Sequence, residues 1–179
     1  VVGQEDNDGV AGQSPANAAD LIVDVVDAAP VAGAVLLNDL RVEGGPPRGD
    51  RESALRAVAS LLTLPEGRST EEEIYEVLME RERLASTGVG SGVAIPHGRF
   101  DGVEELRAAV AVCPAGVDFD AVDGLPVKIL VGILGPRSMP QKHLAALAGV
   151  SRVLRDESRR TKVLNALDNA DVYRALTGP

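Results

Sequence analysis

Two short apolar runs do most to limit what this chain can fold into. LRAAVAVC, residues 106–113, and VKILVGIL, residues 127–134, are closed off by Pro114, Pro126 and Gly135. Runs of that length between such breakers read as interior strands. Helical patterns surround them. Asp50 suits the N-cap of a helix in which Leu55, Val58, Ala59 and Leu62 recur at helical spacing, and LPEGR ends it. TEEEIYEVLMERERL opens with Thr70 and Glu73 in capping-box spacing and acids in its first turn. Ile74, Val77, Leu78 and Leu84 are its expected buried side. MPQKHLAALAGVSRVLRD is a further helix with Pro140 in its first turn, and SRRTKVLNAL and NADVYRAL are two shorter ones. Strands and helices in this mixture give an α/β (α+β layered) domain. No internal repeat is visible.

The part before residue 50 is different in kind. Residues 1–13 are polar, acidic and Gly-rich, and read as a flexible tail. SPANAADLIVDVVDAAP fits a short helix by its Ser14 cap, Pro15 and Pro30, yet Ile22, Val23, Val25 and Val26 favour a strand. Residues 43–50, EGGPPRGD, read as a loop. Residues 1–30 hold six acids and no Lys or Arg, so they carry −6 of the net −9. That balance speaks against a nucleic-acid partner, which needs a basic face, and is compatible with a basic protein partner.

With 179 residues the chain has about one domain's worth of length. Apolar residues make up 45% but aromatics only 2%, so the core must be built from Ala, Val, Leu and Ile. No apolar run reaches the roughly 18 residues of a membrane span. The chain starts at Val1 without a leader pattern, which suggests a processed or excised piece of a soluble protein. A single cysteine, Cys113, excludes an internal disulfide and fits a reducing compartment.

The chemistry gathers at two histidines, the only two present. His97 follows Pro96 and precedes Gly98, behind a stretch containing Gly88, Gly90 and Gly92. Those glycines allow tight turns, positive φ and close backbone approach, and Pro96 stiffens the way in. A ring held beside a strand end, with a glycine leaving one side open, suits a nucleophile that a second protein must reach. The plainer alternative is a loop histidine bonded to a carbonyl. His143 lies at the start of a helix, on one face with Leu147, Val150 and Leu154. It reads either as a core histidine or as a second ring facing a strand end. Two imidazoles beside one phosphoryl group make chemical sense: one nitrogen attacks while the other ring donates to a phosphoryl oxygen.

Rival chemistries have less support. A catalytic zinc needs about three ligands, and no HxxH, HExxH or CxxC pair occurs, although carboxylates could supplement the two histidines. Neither a GxSxG elbow, a GxGxxG nor a GxxxxGK[ST] is present, so no nucleotide or other cofactor is expected. Cys113 ends an apolar strand, where an inert thiol is the natural reading.

RERLASTGVGSGVAIPHGR, residues 81–99, closely resembles the signature of enzyme IIA domains of the bacterial phosphoenolpyruvate-dependent phosphotransferase system, in the fructose/mannitol/nitrogen-regulatory class. FDAVDGLPVKILVGILGP and KHLAALAGVSRVL resemble the family's later segments, and the likeness covers roughly residues 34–177. The resemblance implies a single cytoplasmic domain with a mixed sheet flanked by helices, and a phosphotransferase without cofactor or metal. It implies a phosphoryl group taken from the histidine-containing phosphocarrier protein and passed to a IIB domain for sugar uptake. The alternative is a nitrogen-regulatory module that controls a transporter or kinase according to its phosphorylation state. By motif, His97 matches the phosphorylated histidine, His143 the second active-site histidine, and Arg81 an arginine beside them. The domain then spans 34–179, and residues 1–33 form an acidic extension or linker longer than the family's usual N-terminus. Ser91 stands where asparagine is common.

Overall fold

In the computed structural model, the two apolar runs become long neighbouring strands at the centre of one sheet. The structure describes residues 34–37, 49–63, 68–167 and 169–178. Residues 1–13, expected to be a flexible tail, the 14–30 segment and the boundary after residue 33 lie outside the described residues. The elements are β1 (Ala34–Leu37), β2 (Gly49–Asp50), α1 (Arg51–Leu62), α2 (Glu71–Leu84), β3 (Gly88–Gly90) and β4 (Val93–Ala94). After them come β5 (His97–Arg99), β6 (Arg107–Asp118), β7 (Val127–Gly135), α3 (Pro140–Arg155), α4 (Glu157–Leu164) and α5 (Asn169–Thr177).

Among the described residues the sheet has seven strands in the order β1-β6-β7-β4-β3, with β2 on β6 and β5 on β7. β6 and β7 run antiparallel, with Val110 opposite Val131. β1 and β2 are parallel to β6, and β4 and β5 are parallel to β7, so the sheet is mixed. Two expectations need correcting here. Of the 43–50 segment expected to be a loop, residues 43–48 lie outside the described residues, and Gly49–Asp50 form strand β2, since they pair with Val117 and Asp118. β6 does not stop at Cys113 but continues to Asp118. The register shifts between Val112 and Val117, and Gly116 takes φ +80° there, so the chain absorbs Pro114 and resumes pairing.

Both faces of the sheet are covered. Leu130 and Leu134 of β7 join Leu55, Val58, Leu62, Ile74, Leu78 and Phe119 in one core. The alternate residues Ile129, Val131 and Ile133 join Val110, Leu154 and Val163 in the other. A strand buried on both faces carries no polar alternation, which is why β7 reads as one apolar run. Gly132 faces α1, and a Cβ there would stand 2.2 Å from Val58 Cγ1, so α1 rests directly on the strand.

The caps follow the sequence. Asp50 accepts from Ser53 N at the start of α1, Thr70 and Glu73 form the capping box of α2, and Pro140 occupies the first turn of α3. The β3–β4 turn holds Gly90, Ser91 and Gly92 at positive φ. Ser91 sits at φ 55°, a left-handed position where asparagine is enriched among non-glycine residues. The Asp123 carboxylate accepts from Ser91 N at 2.7 Å and steadies it. Among the described residues, no helix is long and apolar enough to cross a membrane.

Candidate functional site

β4 and β5 form a single path along β7, broken only at Ile95 and Pro96. Pro96 O accepts from Ile133 N at 2.9 Å, and Phe100 N donates to Gly135 O at 2.9 Å. His97 is thus fixed to β7 on both flanks, opposite Ile133. Its half-buried ring has Nδ1 at 2.8 Å from Ile95 O. A carbonyl only accepts, so Nδ1 carries the proton and Nε2 keeps its lone pair. Arg81, in the last turn of α2, donates from Nε to that Nε2 at 3.2 Å and from a terminal nitrogen to Ala85 O at 3.0 Å. The structure therefore brings Arg81 and His97 into direct contact.

Gly98 does not leave a side open, as the sequence reading expected. A Cβ there would stand 2.3 Å from Val77 Cγ1, so the missing side chain is what lets α2 lie against β5. Leu84 also needs correction: it is 80% exposed. The buried stripe of α2 runs through Ile74, Leu78 and Glu82 at four-residue steps, and Leu84 falls off that stripe. It lies instead on the rim of the cavity beside His97.

His143 approaches from α3. Its ring centroid is 5.7 Å from that of His97, with the planes tilted by 50°. The residue is only 5% exposed, and its Nδ1 is buried with no hydrogen-bond partner among the described residues. Gly135 makes room for it, since a Cβ there would stand 3.0 Å from that Nδ1. Burial, with the charges of His97 and Arg99 adding to it, pushes the His143 ring down to about 4. His97 is lowered too, first by burial and also by Arg81, against the opposing pull of the Ile95 hydrogen bond and Glu82. Both rings are neutral near pH 7, so the Nε2 lone pair of His97 is available for attack.

A cavity of about 360 Å³ opens over the two rings. Arg81, Arg99 and Arg137 line it, with Glu80 the one carboxylate among its lining residues. Sequence reasoning did not single out Arg99 or Arg137. Arg99 had a legible signal: it lies two residues after His97 on one strand, hence on the same face. Arg137 lies past the end of β7, where no local pattern marks it. Cys113 does not line this cavity, and burial pushes its thiol up.

A fold of this kind is found in known proteins. The family model for the phosphoenolpyruvate-dependent sugar phosphotransferase system, EIIA 2, matches residues 36–178. A nitrogen regulatory protein of Bradyrhizobium diazoefficiens is 35% identical over 129 residues, which cover 72% of this chain and 84% of that one. The PTS system fructose-specific EIIA component of Haloferax volcanii is 42% identical over 101 residues, 56% of this chain and 66% of that one. The crystal structure of nitrogen regulatory protein IIA-Ntr from Neisseria meningitidis aligns with a TM-score of 0.69 at 31% identity, covering 80% of this chain and 92% of that one. The chain therefore belongs to the EIIA 2 family of the phosphoenolpyruvate-dependent sugar phosphotransferase system.

Proposed function

We propose that this protein is a phosphotransferase component that carries a phosphoryl group on Nε2 of His97. The observation that supports this best is the ring's own wiring: Nδ1 is tied to Ile95 O, while Nε2 points its lone pair at Arg81 beside a cavity lined by arginines. The Nε2 lone pair attacks phosphorus as the bond from phosphorus to the donor's histidine nitrogen breaks, and that nitrogen recovers its electron pair. The Nδ1 proton stays in place. Arg81 swings its Nε–H from the ring nitrogen to a phosphoryl oxygen, and a ring N–H of His143 donates to another. Passing the group on reverses these steps toward an acceptor.

The donor on this reading is the histidine-containing phosphocarrier protein, the acceptor is a IIB domain, and the setting is the cytoplasm. On the same reading residues 34–179 are the carrier domain, and residues 1–33 are an acidic extension or linker. A second reading is favoured by the names of the Bradyrhizobium and Neisseria relatives. In it the same phosphohistidine governs binding to a regulated transporter or kinase. Incubation with phosphoenolpyruvate and the upstream phosphocarriers, followed by intact mass, should show one acid-labile, alkali-stable phosphoryl group. A chain left unmodified under conditions that load the phosphocarrier would defeat both readings. Transfer onward to a IIB domain separates the first from the second.

A further inference from the structure

One buried carboxylate has entered so far only through the pull of its charge on His97. Glu82 follows Arg81 in the last turn of α2 and is only 4% exposed. Consecutive helical residues point about 100° apart, so Arg81 reaches toward β5 while Glu82 turns into the interior. Its Oε2 accepts from Thr87 N at 2.9 Å and from Thr87 Oγ1 at 2.5 Å. Thr87 O in turn accepts from Ile95 N at 3.0 Å. Ile95 O accepts from His97 Nδ1 at 2.8 Å, and His97 Nε2 accepts from Arg81 Nε at 3.2 Å. The peptide bond between Arg81 and Glu82 closes the circuit. The second carboxylate oxygen makes no hydrogen bond among the described residues and faces Arg51 at 3.8 Å, while Arg51 also bonds Asp120 at 3.0 Å.

We propose that Glu82 and Thr87 are positioning residues for His97, holding the Ile95 carbonyl where it keeps the ring proton on Nδ1 and the nucleophilic lone pair on Nε2. The proposal rests on the reading of His97 as phosphoryl acceptor. Two physical consequences favour this arrangement. In water the neutral histidine side chain prefers its proton on Nε2, so an Nε2 nucleophile requires a fixed acceptor at Nδ1. Phosphorylation at Nε2 with the Nδ1 proton retained also makes the ring cationic. The groups around it are Arg81 and Glu80 from α2, Arg99 from its own strand, Arg137 past the end of β7, His143 from α3 and, on the interior side, the Glu82 carboxylate. Glu80 sits on the open rim of the cavity, whereas Glu82 is buried, and its charge favours the cationic ring.

The test combines ¹⁵N NMR of the His97 ring with the rate of labelling by potassium phosphoramidate, using the full chain. In that reaction Nε2 attacks phosphorus, the reagent's P–N bond breaks and ammonia leaves, so no partner protein is needed. The wild-type ring should show its proton on Nδ1. Glu82→Gln should move the ring toward the Nε2–H form, lower the His97 pKa and slow labelling about 10-fold or more, as small misplacements of a reacting group do. Thr87→Val should act in the same direction to a smaller extent, and Thr87→Ser should restore wild-type behaviour. Wild-type ring spectra and rates in both Glu82→Gln and Thr87→Val would overturn the proposal. Should Glu82→Gln fail to fold, the Thr87 pair decides alone. A wild-type chain that phosphoramidate does not label on His97 would count against the acceptor reading instead, while the ring spectra would still judge the positioning role.

Discussion

The start of β5 and the start of α3 each present one imidazole to the same cavity, and the two are held in opposite ways. At β5 both ring nitrogens of His97 are engaged, one by a backbone carbonyl and the other by a guanidinium. At α3 the His143 ring is more deeply buried and has a nitrogen with no partner among the described residues. An engaged ring has a fixed tautomer and a defined nucleophilic atom. A buried ring with an unmet nitrogen is poised to bond whatever enters the cavity, because an unsatisfied polar atom there costs free energy. Role thus follows from hydrogen-bond partners, not from residue type.

The sharpest way to break this contrast is to remove the ring that has both partners. His97→Ala should abolish the acid-labile phosphoryl adduct altogether, as read by intact mass. Labelling that survives, or moves to His143, would mean that the two rings exchange roles.

Next in size is the other ring. His143→Ala should still accept a phosphoryl group, with transfer slowed on the order of 10²-fold by loss of one positioned donor. His143→Gln should recover part of that rate, since an amide donates without titrating. Arg81→Lys should also be slow, because a point charge replaces a planar fork of donors. A wild-type rate with a lowered melting temperature in His143→Ala would make that residue a core side chain only.

The packing beneath His97 gives a smaller effect. Gly98→Ala would drive a methyl group into Val77 Cγ1, 2.3 Å from the ideal Cβ position. Overpacking of this kind costs about 1–3 kcal/mol, and it should move Arg81 off the ring and slow transfer. Adding Val77→Ala should return most of the stability in denaturant titrations. If Gly98→Ala alone is as stable as wild type, the close approach of α2 to β5 is not what the glycine serves.

The smallest effect is on pH dependence. His143 ionises in the folded protein only at about 4, whereas in the unfolded chain it takes a proton near 6.5. Between those values the unfolded state binds more protons, so folding stability falls as pH drops from about 6.5 to about 4 and levels off below. His97, also lowered, adds to the same loss. His143→Gln should therefore show a shallower fall in melting temperature across that window. An identical slope would show that the buried ring does not contribute.

Much of this molecule was legible in local sequence. The Asp50 cap, the Thr70–Glu73 capping box, the Pro140 start and the two central strands all rest on signals within a few residues of each other. His97 stood out through its proline and glycine neighbours, and the motif around it resembled a family to which the chain proved to belong. Other features had no such signal. The parallel pairing of Ala34 with Arg107 joins residues far apart in the chain. Leu84 looked like core until the stripe through Ile74, Leu78 and Glu82 displaced it. Gly98 appeared to leave space that Val77 fills. The tautomer of His97 depends on a carbonyl, and every residue has one, so no side-chain pattern could select Ile95. Sequence determined which segments coil or extend, and which side chains could do chemistry, because propensity, capping and periodicity act over one or two turns. Only the tertiary structure decided which atoms meet, because strand pairing and helix seating bring together groups that local rules cannot relate.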